Sequence, residues 1–490
     1  MRSILAGLAA ALSLAAPAIA APDVSRMTGG ELAAFTRAMP KGGELHNHIS
    51  GALFAETELA WAVEDGLCVD VKALAIMPSC QPSETVKTAA AVAADPELRS
   101  ALVDSLSVRR PGFRGRTTHD QFFGVFGRGY ITPARAADAL ASVMDGLGRQ
   151  NTFYLEAMFT PPHTSIRPLA ASVGWMPDLP AMKAALSAGG LEALAPGAIA
   201  ETDALEARIR ALLKCGTPAA SPGCQVTVRY LLQAGRTGPL EVTFAQLQLG
   251  VALAARDRRW VGIQLVAPED DPVALASYGL HMKMVDFLTD HGRRTPVSLH
   301  AGEVTLKLAP PEDLRDHVAQ AVRTTGARRI GHGADIAQEA DAEVLAAEMS
   351  AKGILVEVNL TSNAEILEIA GKAHPYAWLR QRGVPVSLST DDAGILRIEL
   401  SGEYARAAQE GATYADLKAS ARNAIAFSFL AGEGLWGDPG IYRQPAAACG
   451  GQIGQAEPKG ACAALVAASD KAREQWRHEH LLSLFETAHP

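Results

Sequence analysis

Eight short runs of apolar and β-branched residues, each ending in polar residues and each followed by enough chain for a helix, constrain this sequence most. They cover residues 43–50, 152–159, 226–233, 260–266, 296–300, 329–332, 353–359 and 385–390. Such alternation argues for βα units with parallel strands. Eight units predict an α/β fold, a (β/α)8 TIM barrel with insertions and a helical C-terminal extension. The Ala/Glu-rich stretch 340–352 and the stretch 403–430 read as helices. Residues 67–118 and 162–224 read as insertions between barrel elements. Residues 435–459 are rich in Gly and Pro and open an irregular segment reaching to about residue 470.

The N-terminus has a different logic. Arg2 precedes an apolar run from Ile4 to Ala16, then Pro17 and the small-residue pattern Ala18-Ile19-Ala20. This is the pattern of a secretory signal peptide over residues 1–20, leaving 21–490 as a single barrel domain. The run is too short to span a bilayer, which takes about 20 apolar residues. Export implies an oxidising compartment, expected to be the periplasm, and six cysteines suit one. Proximity pairs them as Cys68–Cys80, Cys215–Cys224 and Cys449–Cys462. None has the C-x-x-C spacing of a thiolate zinc site. A net charge of -8 gives no basic excess for a nucleic-acid backbone, and no later stretch is long and apolar enough for a membrane span.

Four polar clusters stand at the C-terminal ends of predicted strands. In His46-Asn47-His48 the two imidazoles, at i and i+2, share one face of the first strand. His300-Ala301-Gly302-Glu303 ends the fifth strand, Gly331-His332-Gly333 the sixth and Thr390-Asp391-Asp392 the eighth. Each alone also suits a core histidine or an Asp-rich turn. Together they occupy the barrel end where active sites are built. Three histidines and a carboxylate make an N/O donor set for a catalytic metal that activates water.

With these residues the chain resembles the adenosine deaminase family, from about Met39 to Leu435. The matching motifs are Pro40-Lys41-Gly42-Gly43-Glu44-Leu45-His46-Asn47-His48, His300-Ala301-Gly302-Glu303, Arg329-Ile330-Gly331-His332-Gly333 and Ser387-Leu388-Ser389-Thr390-Asp391-Asp392. The resemblance implies one Zn2+ per chain, held by His46, His48, His300 and Asp391. It implies hydrolysis of adenosine or 2′-deoxyadenosine to the 6-oxopurine and ammonia, a purine-salvage reaction. Glu303 would protonate N1, His332 would position the attacking water and take or share its proton, and Asp392 would bind N7.

Ser50, Ala267 and Gly302 are expected beside the substrate. Ser50 stands where relatives carry an Asp toward the ribose 5′-hydroxyl, and Ala267 where they carry a glycine. A different 6-aminopurine with a 5′ or N6 modification is therefore an alternative substrate. Phe122, Phe123 and Phe126 suit either a lid over the pocket or ordinary helix packing. Two rival readings carry less. A binuclear amidohydrolase would want a lysine in 260–266, and there is none. A non-catalytic purine-binding protein would have no use for Glu303 and His332 beside intact metal ligands.

Overall fold

The computed structural model describes residues 22–160 and 166–489. The signal peptide expected over residues 1–20 lies outside the described residues. Eight strands carry the architecture: β1 (Gly42–His48), β2 (Thr152–Phe159), β3 (Thr227–Gly235), β4 (Trp260–Val266), β5 (Ser298–Ala301), β6 (Arg329–His332), β7 (Leu355–Val358) and β8 (Val386–Leu388). β1 to β4 pair in parallel as one four-stranded sheet, and β5 to β8 as a second. Single parallel bridges join the sheet edges on both sides, Ile263 with Val297 and Asn47 with Asp391. The circuit is that of a (β/α)8 barrel, with both seams thin because β5 and β8 are short.

These strands are buried on both faces, as parallel strands covered by helices must be. That burial is why they read as continuous apolar runs. The expected helix at 403–430 is two helices, Leu400–Gln409 and Tyr414–Ala426. Gly411, at φ +97°, ends the first. A capping box of Thr413 with Asp416 starts the second.

The insertions and the tail surround the barrel differently. In the first insertion, strands Cys68–Asp70, Ala75–Met77 and Val86–Thr88 form a small antiparallel sheet. Its apolar residues pack with Phe122, Ile366, Ile395 and Leu396. The last three follow β7 and β8, so this insertion sits over the C-terminal mouth. The second insertion supplies helices Ile166–Val173, Leu179–Ala188 and Ala195–Leu212 to the outer wall. The C-terminal helix Asp470–Ala488 lies at the opposite end. There the His478 ring meets the Pro40 carbonyl, Glu474 accepts from Thr227, and Arg477 donates to the Gln225 carbonyl.

All three expected disulfides are present, spanning 12, 9 and 13 residues. Cys449–Cys462 pins the irregular segment to Leu435, Ala472 and Trp476. Replacing both cysteines by serine is expected to lower stability by about 2–3 kcal/mol, because a loop of this length is freed in the unfolded chain. Turnover should be unaffected, since the tail is at the far end of the barrel. Urea unfolding and steady-state rates of the double variant test both expectations.

Candidate metal centre and catalytic cavity

The strand ends bring the four predicted clusters to one point. His46 and His48 project to the same side of β1, while Asn47 turns the other way and donates to Thr390 Oγ1 at 3.2 Å. One ligand atom from each of His46, His48, His300 and Asp391 falls within 4.8 Å of the others, and all four residues are buried. His46 Nδ1 donates to Glu357 Oε2 at 2.8 Å and His48 Nδ1 to Gln233 Oε1 at 3.0 Å. Burial pulls the His46 pKa down, but the carboxylates of Asp391 and Glu357 beside it raise it to about 10; a bound metal would displace that proton, and each ring, its Nδ1 committed, would then turn a bare Nε2 to the centre.

These atoms have no protein partner suited to them. Among the described residues, His46 Nε2 is buried without any hydrogen bond. His48 Nε2 stands 3.2 Å from His300 Nε2. Asp391 Oδ1 lies 3.4 Å from His46 Nε2 and 3.3 Å from His48 Nε2, and Ser362 steadies its other oxygen at 2.7 Å. Imidazole lone pairs and a carboxylate facing one another in a dry site call for a cation. Burial raises the Asp391 pKa, yet His46 and the other rings hold the carboxyl far below its usual range. The donor set fits a divalent metal of borderline hardness.

Backbone strain marks the same place. His332 and Asp391 adopt φ of +65° and +60°, and Ala267 +88°. Non-glycine residues rarely take such values, and they cluster where a side chain must be aimed. Ala267 lines the cavity, and Arg236 Nε donates to its carbonyl at 2.8 Å. Glycine at position 267 should be tolerated. Ala267→Val should cost about 2 kcal/mol and raise KM, which thermal unfolding and kinetics would measure.

A cavity of about 360 Å³ opens above the cluster. Its floor holds His48, His300, Glu303, Asp391 and Asp392; its walls are Phe122, Phe123, Phe126, Val266, Ala267 and Pro268, with Ser50 and Gln233. Phe122 is buried and Phe126 is half exposed. The aromatic helix Thr118–Val125 thus packs into the mouth insertion through Phe122 and walls the cavity as well. Gly302, expected beside the substrate, is not among the lining residues. Its N–H donates to Glu269 Oε1 at 3.2 Å, and a Cβ there would stand 2.2 Å from Asp335 Oδ1. Gly51 is equally confined, since a Cβ would come within 1.8 Å of Asp392 Oδ1.

The acid and base groups are separated by environment. Burial, then the charge of Asp391, pushes the Glu303 carboxyl well above its usual range, which favours its protonated form. Burial pulls His332 down to about 4. Its Nε2 is 3.6 Å from Glu303 Oε1. Asp392 is also pushed up, by burial and by Asp391. Glu269 clamps the backbone beside the acid, accepting from the N–H groups of Gly302 and Glu303 at 3.2 and 2.9 Å. Arg236 and His317 in turn hold Glu269.

A model for adenosine deaminase matches residues 191–434. The adenosine deaminase of Serratia proteamaculans is 36% identical over 154 residues, 31% of this chain and 42% of that protein. That of Yersinia enterocolitica is 34% identical over 136 residues, 27% of this chain and 38% of that protein. The matched stretch thus spans less than half the length of these relatives. Among solved structures, an Arabidopsis N6-mAMP deaminase superposes with a TM-score of 0.53 at 21% identity, covering 81% of this chain and 95% of that one. A zinc-bound amidohydrolase from Burkholderia ambifaria superposes with a TM-score of 0.52 at 18% identity, covering 83% and 90%. At such identities the two structures speak for the fold. Three of the four polar clusters lie within the matched residues, and the fourth, on β1, joins them at the metal centre: the chain belongs to the adenosine deaminase family.

Proposed function

We propose that this protein is a zinc-dependent hydrolase that deaminates adenosine or 2′-deoxyadenosine to the 6-oxopurine nucleoside and ammonia, after export to the periplasm. One observation carries the reading: a buried acid, Glu303, stands over a cluster of ion-seeking imidazoles and a carboxylate at the floor of a purine-sized cavity. His46, His48, His300 and Asp391 would hold the ion. When bound, it supplies Lewis acidity that lets water ionise near neutral pH.

The chain's own residues do the rest. Glu303 gives its proton to N1, which makes C6 electrophilic. His332 holds the attacking oxygen in place. Glu303, now a carboxylate, takes the proton that the water loses, delivers it to the departing amine, and takes back the C6 hydroxyl proton as the 6-oxo group forms. Asp392, kept protonated by its surroundings, donates to N7. The apolar walls exclude bulk water and sandwich the ring.

Substrate charge is the second question. The N6-mAMP deaminase and the GMP-bound Arabidopsis protein among the structural neighbours take nucleotides, as their descriptions state. The described residues lining this cavity include no Lys or Arg. A 5′-phosphate would find apolar walls and three carboxyl groups there, which favours an uncharged nucleoside. Ammonia release from adenosine should exceed that from AMP by at least about 100-fold in kcat/KM, the worth of about 2.7 kcal/mol. Removing metal with a chelator should abolish release, and added zinc should restore it. Equal rates with AMP would overturn the nucleoside reading, and full activity of metal-free protein the zinc-dependent one. The three disulfides support export, and recovery of the enzyme only in the cytosolic fraction would refute it.

A further inference from the structure

Asn363 lies between two buried imidazoles. Its Oδ1 is placed 2.8 Å from His332 Nδ1 and its Nδ2 2.8 Å from His374 Nε2, an orientation that the hydrogen-bond partners of the two rings reverse. The outer end of this chain is fixed by backbone: the Tyr376 N–H donates to His374 Nδ1 at 3.0 Å. A backbone N–H can only donate, so His374 Nδ1 holds a lone pair. Burial first, with Arg406 and His332, pulls the His374 pKa down to about 3, which keeps that ring neutral. Its one proton is therefore on Nε2, where it faces the Asn363 amide.

The rest follows by elimination. A donating Nε2–H must meet the amide oxygen, because an NH2 there would set donor against donor. The oxygen and nitrogen ends of an amide have the same shape, so their partners decide which is which. With Oδ1 turned to His374, the NH2 is turned to His332 and donates to Nδ1. His332 then carries its proton on Nε2, the nitrogen that faces Glu303 and the cavity floor. Asn359 does not compete. Its Nδ2 is 3.5 Å from both ring nitrogens, and a point equidistant from the two is in line with neither.

We propose that His374, acting through Asn363, fixes the proton of His332 on Nε2, so that His332 donates a hydrogen bond to the attacking oxygen and is not the base that takes its proton. The catalytic half of this inference rests on the deaminase reading above; the tautomer does not. Protons balance without a histidine base. Glu303 gives one to N1, regains one from the water as the C6–O bond forms, passes it to the amine as the C6–N bond breaks, and takes back the proton of the C6 hydroxyl as the carbonyl forms, which leaves it protonated again. The products are the 6-oxo ring with hydrogen on N1, and ammonia. His374 and Asn363 are positioning residues, since neither lines the cavity.

Nitrogen NMR of the metal-loaded enzyme with 15N-labelled histidine reads the tautomer directly, His332 being assigned by its loss in His332→Gln. The wild-type ring should show a protonated Nε2 and a bare Nδ1. Asn363→Asp keeps the shape but can only accept, so it should move the proton to Nδ1 and lower kcat at least 100-fold, with metal content and KM little changed. A bare Nε2 in the wild type overturns the proposal, as does an unmoved proton in Asn363→Asp. A moved proton with unchanged kcat overturns its catalytic half. If Asn363→Asp does not fold, His374→Phe removes the far donor and should leave His332 a mixture of tautomers; a single unchanged tautomer would sink the relay. Should the protein release no ammonia from any purine, the deaminase reading fails while the spectra still judge the relay.

Discussion

Glu303→Gln is expected to lower the rate of ammonia release from adenosine by about 10³-fold while zinc content stays at the wild-type level. The substitution keeps the shape of the side chain and removes only its acidity. Glu303 is not one of the four ligands around the ion site, and the Glu269 clamp grips its backbone, not its carboxyl. Metal binding therefore has no reason to change. A glutamine NH2 can still donate a hydrogen bond to N1, so KM should move only a few-fold. What is lost is proton transfer, which a positioned acid or base supplies at about 10²–10⁴ in rate. The loss should lie toward the upper part of that range, because the one carboxyl both gives a proton to N1 and carries one to the leaving amine. Steady-state kinetics paired with metal analysis measures this. A variant that keeps more than a tenth of wild-type kcat would take Glu303 out of the proton path.

Much of this site was legible in the sequence, for a physical reason. A barrel strand must be apolar along its length, so a histidine or carboxylate at its C-terminal end stands out, and His46, His48, His300, Glu303, His332, Asp391 and Asp392 all stand out this way. All seven gather around the metal centre and the cavity floor. The supporting groups were missed, though they left a signal. Glu357 interrupts Leu355–Val358, Gln264 interrupts Trp260–Val266 and Glu156 interrupts Thr152–Phe159. A charged or amide side chain inside a fully buried strand needs a partner across the barrel, and only the closed barrel says which. The break after Gln409 was also written locally, in Gly411 and the Thr413 to Asp416 spacing, but the Ala-rich surroundings outweighed it. The place of Gly302 was not legible, because the approach of Asp335 that confines it comes from the loop after β6.

Arg329→Met is expected to destabilise the protein by about 3–5 kcal/mol and to weaken zinc binding as well. Arg329 is fully buried within the barrel, with Nε donating to Glu357 Oε1 at 2.6 Å and Nη1 to Glu156 Oε2 at 2.5 Å. Both carboxylates are themselves without exposure. Methionine fills much of the same volume, but it takes the guanidinium away from two buried carboxyl groups. Breaking one side of such an arrangement costs about 3–5 kcal/mol, a large part of the roughly 5–15 kcal/mol that holds a domain folded. Glu156 keeps the Tyr154 hydroxyl and the Phe429 N–H as donors. Glu357 keeps Ser298 and the His46 ring. Burial pushes the Glu357 pKa up, and Arg329 first, then His46, holds it down; without Arg329 the carboxyl takes up a proton. A neutral Glu357 is a poorer acceptor for His46 Nδ1–H, so His46 is less firmly oriented and a weaker ligand. Loss of such a supporting acceptor typically costs about 10–100-fold in metal affinity. Glu357→Gln separates the two effects: it should weaken zinc by a similar factor in a chelator competition, yet destabilise less, because Arg329 still has Glu156. If urea unfolding gave Arg329→Met less than about 1 kcal/mol of destabilisation, the buried pairs would be bystanders in the fold; if both variants bound zinc as tightly as wild type, Glu357 would have no hold on the metal centre.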